Sequence, residues 1–599
     1  MDKRFLITTA DERTWRTDCP VLFLGDWCKL YDRRHVWSNL DAKVVPYHWD
    51  DRGKLHQDCH YLNELYEQLL SELGTALNQF HGVSHSYRYW RILIGPWLSY
   101  FTQVVFDRWT MIQRAVKMFN INGTTVLELP WLKTIPSSLS DFNNLVAWSD
   151  QADIGNHIIY SRILQNWTDV HCERVPLVAP LNIMQLSIVS SFSLRLRQRI
   201  NSLAERSLTF LSTIFRRQTD AFLMGTCLSW KVNSQLQMSL GQFPQLWSRL
   251  PLPKIEANQH VREQFREQFK IKSKGFFGFE QCLHSLIPEQ IPTIYLEGYQ
   301  KLLTTVASLS WPKRPKVIFT SNNQNSDDIF KAWVAEKVEL DTSLVIGQVG
   351  GHYGCGLWSF MEKHETTIAD RYLTWGWGEG EPKLLPTGAL RILGRHLSTW
   401  DKDGHMLVVM GVMPRYSYTP GSYVVSAGQG EAYFSDIYRF IDYLKNIPRK
   451  DILVRPYVHD CGWSQINRWR DRYPDIGIDS GTSLINHLIR KSRLFVSTYN
   501  ATTFLESLGR NIPTIIFWNP EHWELRPSAV PYFDRLKQVG IFHETPESAA
   551  KKVSDIWNDV EGWWNKPEIQ QARQFFCDHF ARTVDNPVQV LKKALTLSK

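Results

Sequence analysis

The chain has 599 residues, 43% of them hydrophobic, enough for at least two separate cores. No apolar run approaches the roughly 18 residues a bilayer span requires, and nine scattered cysteines without a Cys-x-x-Cys pair argue against a disulfide scaffold or a zinc ribbon. The net charge of +8 is modest for this length and comes without a long Lys/Arg run, so it excludes nucleic acid as the expected partner and suits a nucleotide, an anionic lipid or a charged glycan.

The opening residues turn acidic and polar too soon for a secretory signal and predict a first β-strand, so a cytoplasmic protein is expected. Strand-like runs recur at Arg4–Thr8, Val21–Leu24 and Val44–Val45, and Tyr61–Leu73 has a helical pattern. A dense block follows, with Arg88, Trp90, Arg91 and Trp97 around a Gly95-Pro96 break and Asp107 beyond it. From about 140 to 300 the pattern is mainly helical. Leu196, Ile200, Leu203, Leu208, Leu211 and Phe215 form one apolar stripe among arginines, which fits either a core face or a basic helix on an anionic membrane.

At Ser310-Trp-Pro-Lys-Arg-Pro-Lys316 the composition shifts to proline and base, as a linker would. The main boundary is therefore expected near residue 310, with an N-terminal α/β domain over 1–310 and a nucleotide-binding domain over 311–599. A second α/β register begins with a strand at Val317–Thr320, a helix at Asp327–Lys337 and a strand at Ser343–Gly347. Further strands are expected at Met406–Met410, Ile452–Arg455 and Arg493–Ser497. The helical segment from Pro567 is expected to cross back toward the first half.

Three loops, each following a predicted strand, could gather along one edge of a parallel sheet, where open α/β sheets bind ligands. The first is Gly347-Gln348-Val-Gly350-Gly351-His352-Tyr-Gly354, whose paired glycines let backbone N–H groups approach a phosphate. His352 could serve there as acid or base, or belong to a hydrogen-bonded turn. The second, after Ile452–Val454, carries Arg455 and His459, suited to phosphate oxygens, with Asp460 free to orient the imidazole or cap a helix. The third is Ser497-Thr-Tyr-Asn500-Ala-Thr502-Thr503-Phe-Leu-Glu506, where hydroxyls and an amide stand at a helix start that favours an anion. Between the first two, Asp370 and Glu365 are candidates for general-base work, and Trp375-Gly376-Trp377 suggests a rigid aromatic wall. No spaced set of metal ligands is apparent.

Several of these blocks together resemble an uncharacterised family of transferases associated with surface-polysaccharide (O-antigen and capsule) biosynthesis in bacteria. They include Val21-Leu-Phe-Leu-Gly-Asp-Trp-Cys28, Tyr87-Arg-Tyr-Trp-Arg-Ile-Leu-Ile-Gly-Pro-Trp97, Gly347-Gln-x-Gly-Gly-x-Tyr-Gly354, Ala369-Asp-Arg-Tyr-Leu-Thr-Trp-Gly-Trp377 and Ser497–Glu506. The resemblance covers nearly the whole chain. It implies two Rossmann-like domains facing a cleft, as in GT-B glycosyltransferases, with a large helical insertion in the N-terminal half. It further implies a metal-independent enzyme without a cofactor, using a nucleotide-sugar as co-substrate and a glycan or lipid-linked acceptor, with peripheral contact at the cytoplasmic face of the inner membrane. On that reading His352, Asp370 and His459 are catalytic. Gln348, Gly350, Gly351, Arg455, Ser497, Asn500, Thr502, Thr503 and Glu506 hold the donor, and Arg88, Trp90, Arg91, Trp97 and Asp107 face the acceptor. The second half also looks distantly like enzymes that transfer sugar acids from CMP or polyol phosphate from CDP, and a non-catalytic glycan-binding scaffold is the alternative outside enzymology.

Overall fold

The structure is a computed structural model that describes residues 2–176, 215–270, 278–378, 380–394, 399–411 and 413–597. Three parallel sheets carry it. The first contains β1 (Lys3–Ile7), β2 (Val21–Phe23), β3 (Ala42–Val44), β4 (Asn120–Glu128) and β5 (Cys172–Pro176) in the order β3-β2-β1-β4-β5. The second contains β6 (Phe222–Leu223), β7 (Val317–Thr320), β8 (Ser343–Gly347), β9 (Arg371–Thr374) and β10 (Leu384–Pro386), ordered β10-β9-β8-β7-β6. The third contains β11 (His405–Val409), β12 (Ile452–Arg455), β13 (Gly477–Ile478), β14 (Ser492–Ser497), β15 (Thr514–Phe517) and β16 (Phe542–His543), ordered β13-β12-β11-β14-β15-β16. Every residue of β7, β8, β9 and β15 is buried. Strands covered on both faces favour continuous apolar runs, which is why β7 and β8 were visible in the sequence.

The expected α/β class with Rossmann-like sheets is present, and the described residues hold one sheet more than the expected pair. Segment 311–599 divides between two sheets, and β6 carries the second of them back to residue 222, ahead of the boundary expected near 310. β6 is two residues long, too short for a periodic signal, and β4 opens on the polar run Asn-Ile-Asn-Gly-Thr-Thr.

The helices that matter for the site are α1 (Arg52–His81), α2 (Tyr87–Leu93), α3 (Gly95–Met118), α4 (Ala152–Trp167), α5 (Trp230–Ser239), α6 (Phe360–Ile368), α7 (Ala427–Tyr443), α8 (Gln465–Arg472), α9 (Thr502–Gly509) and α10 (Pro587–Thr596). α1 starts where the Asp51 carboxylate accepts the Lys54 backbone N–H at 3.0 Å and stops at Gly82, which takes the left-handed φ of 65° that glycine tolerates. Gly95-Pro96 opens α3, because proline in a first turn gives up only an N–H that has no partner in the helix. α10 returns to the second sheet, where Leu591, Ala594 and Leu595 join the core of Val317, Phe319 and Val345. The expected stripe from Leu196 to Leu211 lies outside the described residues. Among the described residues no helix is long and apolar enough to cross a membrane.

His364 of α6 is buried, and neither of its ring nitrogens has a hydrogen-bond partner. Burial, aided by the nearby charges of Arg91 and Lys331, pushes its pKa down to about 3. A folded value below the unfolded one stabilises the fold fully above about pH 6.5, and that contribution fades as pH falls toward the folded value. Between pH 7 and pH 5 this one group is expected to remove about 2 kcal/mol. Urea titrations at both pH values should therefore show a smaller pH difference for His364→Leu than for the parent, and equal differences would refute the assignment.

Candidate functional site

The carboxyl ends of strands from the second and third sheets meet. Gly351, in the loop after β8, packs on the backbone before α9, so a Cβ added there would stand 2.2 Å from the Ala501 carbonyl oxygen and 2.8 Å from the Thr502 Cα. Gly350 lies beside the Thr502 hydroxyl, which an added Cβ would meet at 3.6 Å. The apposition continues along the same loop, where the Leu357 N–H donates to the Glu524 carbonyl at 3.0 Å and the Arg526 N–H to the Cys355 carbonyl at 2.9 Å. The first sheet joins through the long loop after β11. The Arg415 guanidinium pairs with Asp153 of α4 at 2.9 Å, and the Ala10 N–H, just past β1, points to the Tyr416 hydroxyl at 3.4 Å.

α9 enters from Ala501, and no side chain caps it. Its first-turn N–H groups therefore stay available to an anion at the helix end that faces the Gly350-Gly351 turn. Asn500 is buried beside that end. Its Oδ1 takes the Cys355 thiol at 3.6 Å, and its Nδ2 is buried without a partner. A buried amide donor left unpaired is costly, so a ligand oxygen at this point would satisfy it. Thr503 shares a hydrogen bond with the Tyr499 hydroxyl at 3.1 Å, and Glu506 forms an ion pair with Arg510 at 3.4 Å. Ser497 is buried, its hydroxyl on the Tyr499 carbonyl at 3.3 Å.

Gln348 holds the glycine loop from beneath and is itself buried. Its amide nitrogen donates to the Gly350 carbonyl at 2.7 Å, while its amide oxygen accepts from the Trp375 N–H at 2.9 Å and the Trp377 indole at 2.8 Å. The expected aromatic wall is thus a brace for the loop, and Gln348 acts behind the site. Gly376, at φ 142°, lies under the backbone carbonyls of Asp578 and His579, where an added Cβ would come within 2.7 Å of both.

Arg391, from the segment after β10, is a residue the sequence did not flag. Its Nε donates to the Val349 carbonyl at 3.1 Å, which sets a guanidinium on the rim of the same turn. It lies near Cys227, whose thiol burial pushes up, partly against the pull of Arg391, with Glu506 and Glu365 adding to the rise. It also lies near Tyr457, whose hydroxyl burial pushes up, with Arg391 opposing. Tyr457, Arg455 and Glu506 in turn act on the Tyr499 hydroxyl, so the loops after β12 and β14 share one electrostatic neighbourhood.

Other expected site residues lie elsewhere or are already committed. Asp370 stands at the amino end of the second sheet, where its Oδ2 accepts the Leu344 N–H at 2.8 Å and its Oδ1 pairs with Arg88 at 3.0 Å. It is across the sheet from the Gly350 turn, and Arg88 is with it. Trp90 is buried, its indole on the Asn78 side-chain oxygen at 2.9 Å, and Trp97 is buried beside Phe101. Arg91 is buried and ion-paired with Glu67. Asp107 is buried, bound by Tyr47, His48 and Arg108. None of these four offers a surface to an acceptor, so they are corrected to structural residues. Arg455 is paired with Asp479 and donates to the Ser483 carbonyl at 2.7 Å.

His352 is half-buried, with Nε2 at 3.1 Å from the Ser359 hydroxyl, and burial reinforced by Arg526 pushes its pKa down to about 4. His459 is exposed, its ring 6.1 Å from that of Tyr457. Asp460 caps α8 by accepting the Ser464 and Gln465 N–H groups, each at 2.7 Å. Glu365 is buried and accepts from Gln324 at 3.0 Å and Tyr372 at 2.9 Å, and burial pushes its pKa up to about 7.

Among solved structures the chain is similar to the wall teichoic acid polymerase TagF, at 12% identity over 50% of this chain and 82% of that one, with a TM-score of 0.28. It is also similar to MurG of Acinetobacter baumannii, at 11% identity over 65% and 95% with a TM-score of 0.30, and to the spinosyn rhamnosyltransferase SpnG, at 12% over 50% and 76% with 0.29. Likenesses this weak say nothing of substrate or residue roles. No curated protein matches the sequence. The model of the LIC12162 family of transferases matches residues 4–595, nearly the full length. The chain is a member of the LIC12162 transferase family.

Proposed function

We propose that this transferase moves a sugar from a nucleotide-sugar donor to a glycan or lipid-linked acceptor in bacterial surface-polysaccharide (O-antigen or capsule) synthesis, on the cytoplasmic side of the membrane. One observation carries the reading: a glycine turn from one parallel sheet closes on an uncapped helix start from the next, beside an unpaired buried amide. A diphosphate fits that place, since the first-turn N–H groups of α9, the Asn500 amide and the Arg391 guanidinium all favour negative oxygen. Leaving-group charge would be stabilised by the helix end and the cation, so transfer is expected to persist in EDTA.

Calorimetry with UDP-, GDP-, CMP- and CDP-linked donors tests the reading. One nucleotide-sugar should bind, and Arg391→Ala should weaken it by about 10- to 100-fold, the weight of a charge-assisted hydrogen bond. Binding of CDP-polyol alone would establish the polyol-phosphate reaction instead, and no nucleotide binding at all would leave the scaffold.

A further inference from the structure

α5 turns Val232 and Leu236 inward against the second sheet and α10. Its opposite stripe, Trp230, Ser234 and Met238, repeats every four residues and so shares one face. With Phe243, Pro244 and Leu246 that stripe lines an apolar pocket of about 510 Å³. Trp230 is 51% exposed, Met238 56%, Phe215 56% and Phe243 40%, and the two phenylalanine rings are 5.3 Å apart. Large apolar side chains gathered in one patch mark an interaction surface, whereas single scattered ones do not.

The charge around the patch is mainly basic. From Phe215 to Lys254 the sequence carries Arg216, Arg217, Lys231, Arg249 and Lys254 against a single acid, Asp220. That acid is buried and accepts the Arg217 backbone N–H at 2.9 Å. A second pocket, of about 640 Å³, adjoins the first at Gly241 and adds Lys316, Arg371 and Lys592 against Asp341. Arg371 is buried there, one Nη on the Ser343 hydroxyl at 2.9 Å, and its Nε has no partner. At its other end α5 begins three residues after Cys227, whose thiol feels the charges of Arg391 and Glu506.

We propose that this face of α5 docks on an anionic phospholipid bilayer. The helix would lie along the headgroups, with Trp230, Met238, Phe215 and Phe243 in the interface and Lys231, Lys316 and Lys592 over the phosphates. An exposed aromatic stripe with a basic fringe is the chemistry of interfacial binding, in which apolar burial and attraction to anionic lipid add together. The surface stands whichever group is transferred.

Co-sedimentation with vesicles of phosphatidylcholine alone, and of phosphatidylcholine mixed with phosphatidylglycerol, tests this directly. Binding should require phosphatidylglycerol and weaken with salt. Trp230→Ser combined with Phe243→Ser should lower partitioning about tenfold or more, as should Lys231→Glu combined with Lys592→Glu. Nucleotide affinity at α9 should stay unchanged in both, which separates failure of the docking from failure of the transferase reading. The proposal is overturned if the parent protein ignores anionic vesicles or if both variants bind them as the parent does. It is equally overturned if light scattering shows a dimer that the Trp230/Phe243 variant dissociates while no form binds vesicles.

Discussion

Asp107→Asn is expected to destabilise the protein by about 3–5 kcal/mol, the usual consequence of leaving one member of a buried ion pair uncompensated. Asp107 and Arg108 are 1% and 0% exposed, and the carboxylate is bound from several sides. It accepts the Tyr47 hydroxyl at 2.6 Å and the His48 imidazole at 3.0 Å, and it pairs with the Arg108 guanidinium. Burial alone would raise its pKa, but the Arg108 charge and the His48 and Tyr47 contacts outweigh burial and hold it below the usual carboxylate value. Asparagine keeps the shape and removes the charge, while Arg108, tied to Asn156 at 2.8 Å between the rings of Tyr160 and Tyr416, cannot reach water. Urea denaturation followed by tryptophan fluorescence measures the effect, and adding Arg108→Met should recover part of it. An acceptor-binding carboxylate would behave in the opposite way, leaving stability intact and raising KM.

That contrast shows what the sequence could convey. The unit from Arg493 to Trp518 is legible in the sequence, since short apolar runs on either side of Gly509 and Pro513 suit a strand, loop, helix and strand. The structure has β14, α9 and β15 there. The run of alternating aromatic residues and Arg near residue 90 was not legible as to role. A guanidinium beside an indole looks the same in sequence whether it faces a sugar or, like Arg91, turns to Glu67 inside a helix pair. Asp370 was misplaced because it follows a helix, not a strand, and so lies at the amino end of its sheet. Arg391 could not have been found at all: its position depends on the three-residue β10 and on a hydrogen bond to a backbone carbonyl, neither of which leaves a residue pattern.

Neighbouring glycines give the sharpest test of the site itself, because only one of them is crowded. Gly351→Ala is expected to lower kcat/KM about 100-fold, the cost of roughly 1 Å of misplacement at a reacting centre. Gly350→Ala should be nearly silent in stability, within about 0.5 kcal/mol. At 351 the new methyl would stand 2.2 Å from a backbone oxygen and 2.8 Å from a Cα, and neither can rotate away. The loop after β8 and the start of α9 must then separate, which pulls the glycine turn off the helix end to which the proposed function assigns the phosphates. Overpacking of this kind costs about 1–3 kcal/mol, so the melting temperature of Gly351→Ala should fall as well. At 350 the methyl meets only the Thr502 hydroxyl, at an ordinary 3.6 Å. Neither residue has a positive φ, so any difference between the two variants reports on crowding and not on backbone strain. Donor affinity by calorimetry, kcat/KM with the donor so identified and thermal melting complete the comparison. If alanine at 351 is as harmless as alanine at 350 in all three, the two sheets do not close on a shared ligand.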